Sequence, residues 1–152
     1  MKRAPIVAIV GPAEADAPTL HAAEDVGAGL AIAGLTLVTG GLGGVMEAAS
    51  RGARSKLGST IGILPGEDPD EANGWVELPI ATGLGEGRNA LLVRLASAVV
   101  AIGGGYGTLS EIALALKAGK PVVGLGTWDV HGVEQVSTAE AAVGRIVALS
   151  SH

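Results

Sequence analysis

The run Ile102-Gly-Gly-Gly-Tyr-Gly-Thr-Leu-Ser-Glu111 concentrates groups able to do chemistry. Gly103, Gly104, Gly105 and Gly107 let the backbone turn sharply and approach a ligand with no Cβ in the way. The helix expected next directs free N–H groups and the positive end of its dipole at the same loop, which suits a phosphate or a carboxylate. Gly103, Gly104, Gly105, Tyr106, Gly107 and Thr108 are therefore candidate phosphate-binding residues. A ligand-free tight turn needs fewer glycines.

Glu111 has two readings. Thr108-Leu-Ser-Glu111 has the spacing of a capping box, in which Thr108 caps the helix and Glu111 reaches back to the cap N–H. Alternatively, the carboxylate stands at the mouth of the ligand site, where it stabilises a developing cation or activates water. Arg88, in Gly83-Leu-Gly-Glu-Gly-Arg-Asn89, can clamp phosphate or ribose oxygens with two parallel hydrogen bonds. Its structural alternative is a solvated residue at a helix start, paired with Glu86. Arg88 and Glu111 are the catalytic candidates, and they face one crevice if the strands before their loops are neighbours. Gly40-Gly-Leu-Gly-Gly-Val-Met-Glu47 supplies a second anion-holding loop, with Gly40, Gly41, Gly43 and Gly44 as candidates. Glu47 there complements the helix dipole, and Met46 reads as core.

Other chemistries lack their residues. A P-loop needs Lys followed by Ser or Thr after its last glycine, and Tyr106-Gly107-Thr108 has no lysine. The dinucleotide fingerprint fails both from Gly103 and in Gly11-Pro12-Ala13-Glu14, so NAD dependence is unsupported. With no cysteine, thiolate catalysis and cysteine metal sites are excluded. His21, His131 and His152 are scattered without ligand spacing, so no metal site is expected.

These residues must be held by a scaffold, and the pattern of the chain indicates which. Hydrophobic residues make up 48% and charged residues 16% of the 152 residues, which excludes a disordered chain and suits one domain over 1–152. Aromatics are only 2%, so the core must be Ala, Val, Leu and Ile. Strand-length apolar runs at 5–10, 35–39, 60–64, 75–81, 98–102 and 121–125 alternate with helical segments. The helices are expected at 18–33, from after Gly44 to 56, 87–96, 108–118 and 138–149. Such alternation predicts an α/β, Rossmann-like three-layer sandwich on a mainly parallel sheet of six to seven strands. In an open parallel sheet the strand-to-helix joins share one edge, so separate glycine loops can form one site.

The formal net charge of −5 argues against nucleic acid as partner, because neutralising a phosphate backbone needs clustered Lys and Arg. Val26 to Met46 carries no charge over a length that could span a bilayer, but glycines and a strand-like Leu35-Thr-Leu-Val-Thr39 interrupt it, so no membrane partner is expected. The start, Met1-Lys2-Arg3-Ala4-Pro5, runs into only a short apolar stretch, so no signal peptide is expected. With the absence of cysteine this fits a cytoplasmic protein. Apolar positions on two helices, Leu91, Leu92, Leu95 and Ile112, Ala115, Leu116, predict a homodimer or homotetramer.

Gly103-Gly-Gly-Tyr-Gly-Thr-Leu-Ser-Glu111 resembles the Pro-Gly-Gly-x-Gly-Thr-x-x-Glu motif of the Lonely Guy family. These are Rossmann-like phosphoribohydrolases that cut the N-glycosidic bond of cytokinin nucleoside 5′-monophosphates. The resemblance implies catalytic roles for Arg88 and Glu111, and a phosphate-binding loop ending at Thr108. Gly40-Gly-Leu-Gly-Gly-Val-Met46 is similar to that family's second glycine stretch. Gly103 stands where the family has Pro, Asn89 where it has Lys, and Gly11-Pro12-Ala13 where it has a serine-bearing loop; Gly11 is counted with the ligand-binding candidates. The short chain and these departures are similar to a bacterial branch of the superfamily that resembles the molybdenum cofactor carrier protein. Two functions are thereby implied for a phosphorylated small-molecule ligand. One is hydrolysis of a nucleoside monophosphate without a resident cofactor. The other is non-catalytic carriage of the molybdenum cofactor, a pterin phosphate.

Overall fold

The computed structural model describes residues 3–150. Seven strands and five α-helices follow in the order β1 (Ile6–Val10), α1 (Ala17–Ile32), β2 (Thr36–Thr39), α2 (Val45–Ser55), β3 (Thr60–Leu64), β4 (Leu78–Ala81), α3 (Arg88–Leu95), β5 (Ala98–Ile102), α4 (Tyr106–Lys117), β6 (Val122–Leu125), β7 (Val133–Val136) and α5 (Ala139–Ser150). Every strand pair is parallel, and the order across the sheet is β4-β3-β2-β1-β5-β6-β7. This is the expected α/β Rossmann-like sandwich.

The two-residue period of the central strands sorts their side chains into two cores. Val7 and Ile9 of β1, with Val100 and Ile102 of β5, pack under α1, α2 and α5. Ala8 and Val10, with Val99 and Ala101, pack under α3 and α4. The uncharged stretch from Val26 to Met46 is divided among the end of α1, β2, a loop and the start of α2. No helix among the described residues is long and apolar enough to cross a membrane.

Four local expectations are corrected. β4 begins at Leu78, not Trp75, because 73–76 turn: the Trp75 N–H donates to Asn73 Oδ1 and the Val76 N–H to the Asn73 carbonyl. β7 is an additional edge strand of four residues, Val-Glu-Gln-Val, too short and too polar in the middle to read from sequence. α4 starts two residues before Thr108, with Gly105 in extended conformation (φ −142°, ψ 167°) as its N-cap. Thr108 and Glu111 are thus inside the helix, so they do not form the capping box. Finally, Leu92, Ile112 and Ala115 are buried against the chain's own sheet, so of the six apolar helix positions only Leu91 and Leu95 are well exposed.

β4 and β5 are not neighbours; β3, β2 and β1 lie between them. The connecting α3 crosses back over β3 and β1 and packs beside α4. The helix, not strand adjacency, carries its first residue to the start of α4.

Candidate functional site

A cleft of about 500 Å³ opens at the carboxyl edge of the sheet. Four segments line it: Gly11 to Ala13 after β1, Leu42 and Met46 around the start of α2, Gly85 to Asn89 at the start of α3, and Gly105 to Glu111 at the start of α4. Pro65, after β3, closes its far side.

Arg88 and Glu111 meet here. Both are buried, at 9% and 6% exposure, and Arg88 Nη1 stands 3.9 Å from Glu111 Oε2. Arg88 therefore faces Glu111 across the cleft rather than the solvated Glu86. The same Nη1 donates a short hydrogen bond to Asn89 Oδ1, which fixes the plane of the guanidinium. Burial raises the Glu111 pKa from 4.5 to about 7, an effect that the Arg88 charge opposes but does not cancel. Burial also lowers the Arg88 pKa, with Glu111 pulling it back up. A guanidinium stays cationic under such shifts.

Two buried donors beside this pair have no partner. Thr108 Oγ1 and Arg88 Nε meet no hydrogen-bonding atom, although Thr108 is only 2% exposed. Leaving such groups unsatisfied costs about 1–3 kcal/mol each, so a buried orphan donor facing a cleft asks for an acceptor. The first-turn N–H groups of Tyr106, Gly107 and Thr108 have no intrahelical partner either. Arg88, Gly107 and Thr108 all line the cleft, so an oxyanion bound at the start of α4 could draw on a hydroxyl, a guanidinium and helix amides.

The glycines after β5 have separate duties. Gly103 turns the chain at φ +76°, where a Cβ would crowd Pro12 at 3.2 Å and Thr19 at 3.3 Å, and its N–H donates to the Leu125 carbonyl at 3.2 Å. A Cβ on Gly104 would touch the Trp128 indole at 3.7 Å, whereas one on Gly107 would meet nothing within 4 Å. Gly105 and Gly107 line the cleft; Gly103 and Gly104 do not. Tyr106 points away and is 84% exposed, its ring stacked on Trp128 at 6.1 Å and 23°. The Trp128 Nε1–H donates to the Gly105 carbonyl at 3.0 Å. Trp128 therefore fixes the residue that caps α4. Sequence reasoning missed this, although an isolated Trp in a chain with 2% aromatics was a signal.

The second glycine loop is occupied by its own chain. The Gly41 N–H donates to Thr39 Oγ1, the Val45 N–H to the Pro12 carbonyl, and the Asn73 side chain to the Leu42 carbonyl. Gly44 caps α2 at φ +62°, so close to Ala13 that a Cβ would lie 2.3 Å from its carbonyl carbon. Gly43 approaches the same residue, and Gly41 packs on Leu64. A Cβ on Gly40 would come within 2.7 Å of Arg88 Nη2, so Gly40 serves the site from behind by admitting the guanidinium. Gly11 lines the cleft and fits between the Ile102 carbonyl and Val45. From the stretch Gly40 to Met46, only Leu42 and Met46 reach the cleft. No group of three or more His, Asp or Glu able to hold a metal stands together among the described residues.

A family model, that of the SLOG cluster4 family, matches residues 4–150. An uncharacterised protein of Archaeoglobus fulgidus is 42% identical over 145 residues, 95% of either chain. The molybdenum cofactor binding protein from Rippkaea orientalis superposes with a TM-score of 0.92 at 38% identity, covering 98% of this chain and 99% of that one. The molybdenum cofactor carrier protein from Chlamydomonas reinhardtii superposes with a TM-score of 0.92 at 37% identity, covering 99% and 100%. The chain belongs to the SLOG cluster4 family.

Proposed function

We propose that this member of the SLOG cluster4 family is a carrier that holds the molybdenum cofactor, a phosphorylated pterin, by its phosphate at the start of α4. The observation that carries the phosphate site is the pair of orphaned buried donors, Thr108 Oγ1 and Arg88 Nε, beside free helix amides. The identity of the ligand is supported by likeness, over nearly the whole of both chains, to proteins that bind or carry this cofactor. The phosphate accepts from Thr108, from Arg88 and from the amides of Gly107 and Thr108. The pterin extends along the cleft over Leu42 and Met46, whose apolar surface suits a flat ring. A cleft of about 500 Å³ is sized for one such molecule.

A second reading is supported by one observation: Glu111 faces the cleft and is not consumed as a helix cap. A carboxyl group beside an arginine could stabilise an oxocarbenium-like state in a nucleoside 5′-monophosphate, with water attacking the sugar. One experiment separates the two. The protein is mixed with molybdenum cofactor released from a molybdoenzyme, passed over gel filtration, and assayed for molybdenum and pterin. It is also incubated with AMP and a cytokinin nucleoside monophosphate and assayed for free base. Co-elution of molybdenum and pterin without base release supports the carrier. Base release abolished by Glu111→Gln supports the hydrolase. Neither outcome alone would overturn both.

A cytoplasmic site of action and a homodimer or homotetramer accompany this proposal. Leu78, Ile80, Leu84, Leu91 and Leu95 expose apolar surface along β4, the turn after it and α3, which a second copy of the chain would cover.

A further inference from the structure

We propose that the cleft takes up a proton together with its anion: Glu111 becomes protonated as the incoming oxyanion replaces its carboxylate as the partner of Arg88. This rests on the cleft being a phosphate site. Arg88 is the single cation lining the cleft among the described residues, and Glu111 holds a carboxylate 3.9 Å from it. An oxyanion accepting from Arg88 and Thr108 would therefore stand beside that carboxylate in a buried corner, where like charges repel strongly. Either the anion binds poorly or the carboxylate loses its charge. Protonation removes the repulsion, frees Arg88 for the ligand, and gives Glu111 a hydroxyl that can donate to the anion.

The surroundings of Glu111 favour the proton. From α3, the charged groups are Arg88, which faces it, and Arg94, which is exposed at the far end of the helix. β5 and β6, on which α4 packs, contribute no titratable side chain. Glu86, from the turn before α3, lines the cleft but is exposed to solvent, which screens its charge. Burial already holds the Glu111 pKa near 7 in the free protein, so a neighbouring anion that raises it further draws in a proton at neutral pH and above. In a carrier, the same coupling gives a release step: loss of this proton restores the Arg88–Glu111 pair and expels the anion.

Sulfate tests this, because it stays doubly ionised between pH 6 and 8 and any pH dependence must come from the protein. Binding is followed through the amide NMR signals of Gly107 and Thr108. Affinity is expected to fall roughly tenfold from pH 6 to pH 8, the limit for one coupled proton with a pKa near 7. In Glu111→Gln that dependence should vanish, with sulfate held at pH 8 as tightly as the wild type holds it at pH 6. Calorimetry on the wild type in two buffers of different ionisation heat should count close to one proton taken up at pH 8, which requires no variant. Sulfate binding at these amides with equal affinity at both pH values and no proton uptake would overturn the coupling and leave the phosphate site standing. Sulfate that never perturbs these amides at any pH would overturn both.

Discussion

Arg88 Nη1 lies 3.9 Å from Glu111 Oε2 although the strands that precede them, β4 and β5, are separated by three others. The crossing of α3 over β3 and β1 makes the contact, and Gly40 makes room for it by letting the guanidinium lie against bare backbone. The site is thus assembled by helix packing at the sheet edge, and predictions follow from each part.

Thr108→Val should remove one donor to the bound anion while keeping the volume of the side chain. Affinity for the molybdenum cofactor should fall by roughly 10- to 100-fold, the worth of a hydrogen bond to a charged group at about 1.5–3 kcal/mol. Thr108→Ser should retain most of it. Because Thr108 Oγ1 has no partner in the free protein, thermal stability of the valine variant should be unchanged or higher.

Gly107 and Gly44 should respond oppositely to alanine. A Cβ on Gly107 enters open space, and the position is helical, so Gly107→Ala should hold or raise stability by up to about 1 kcal/mol. Gly107→Leu should fold and lose anion binding, because its side chain stands at the cleft. Gly44→Ala places a methyl 2.3 Å from the Ala13 carbonyl carbon at φ +62° and should cost several kcal/mol, read as a large drop in melting temperature.

Much of this was legible in sequence. The alternation of apolar runs with helices gave the parallel sheet, and two of the glycines before Glu111, Gly105 and Gly107, do line the cleft at its carboxyl edge. The start of α4 was not legible, because a glycine cap held by Trp128 from a distant loop outcompeted a good local capping box. β7 was hidden because two of its four residues are polar. The roles of Gly41, Gly43 and Gly44 were equally hidden: a glycine needed for a ligand and one needed for close packing look the same until the neighbour is known, here Ala13 and Leu64.

Stability should depend on pH through Glu111. Its pKa in the folded protein, about 7, is above its ordinary 4.5, so the folded state holds this proton more tightly than the unfolded chain. The contribution is complete below about pH 4.5, declines as pH rises toward 7, and is flat above that. Denaturant titrations between pH 5 and 7.5 should show the wild type losing about 1–3 kcal/mol more than Glu111→Gln. Parallel curves for the two proteins would contradict the assignment.

Light scattering should find a homodimer or larger. Leu91→Lys with Leu95→Lys should shift it toward monomer while preserving the fold, since both side chains are exposed in the single chain. A monomeric wild type would refute this.

A crystal structure of the protein loaded with molybdenum cofactor tests the central claim most directly. The phosphate should sit within hydrogen-bonding distance of Thr108 Oγ1, the Gly107 and Thr108 amides and the Arg88 guanidinium. A phosphate seated anywhere else, with Thr108 Oγ1 still unpartnered, would contradict it.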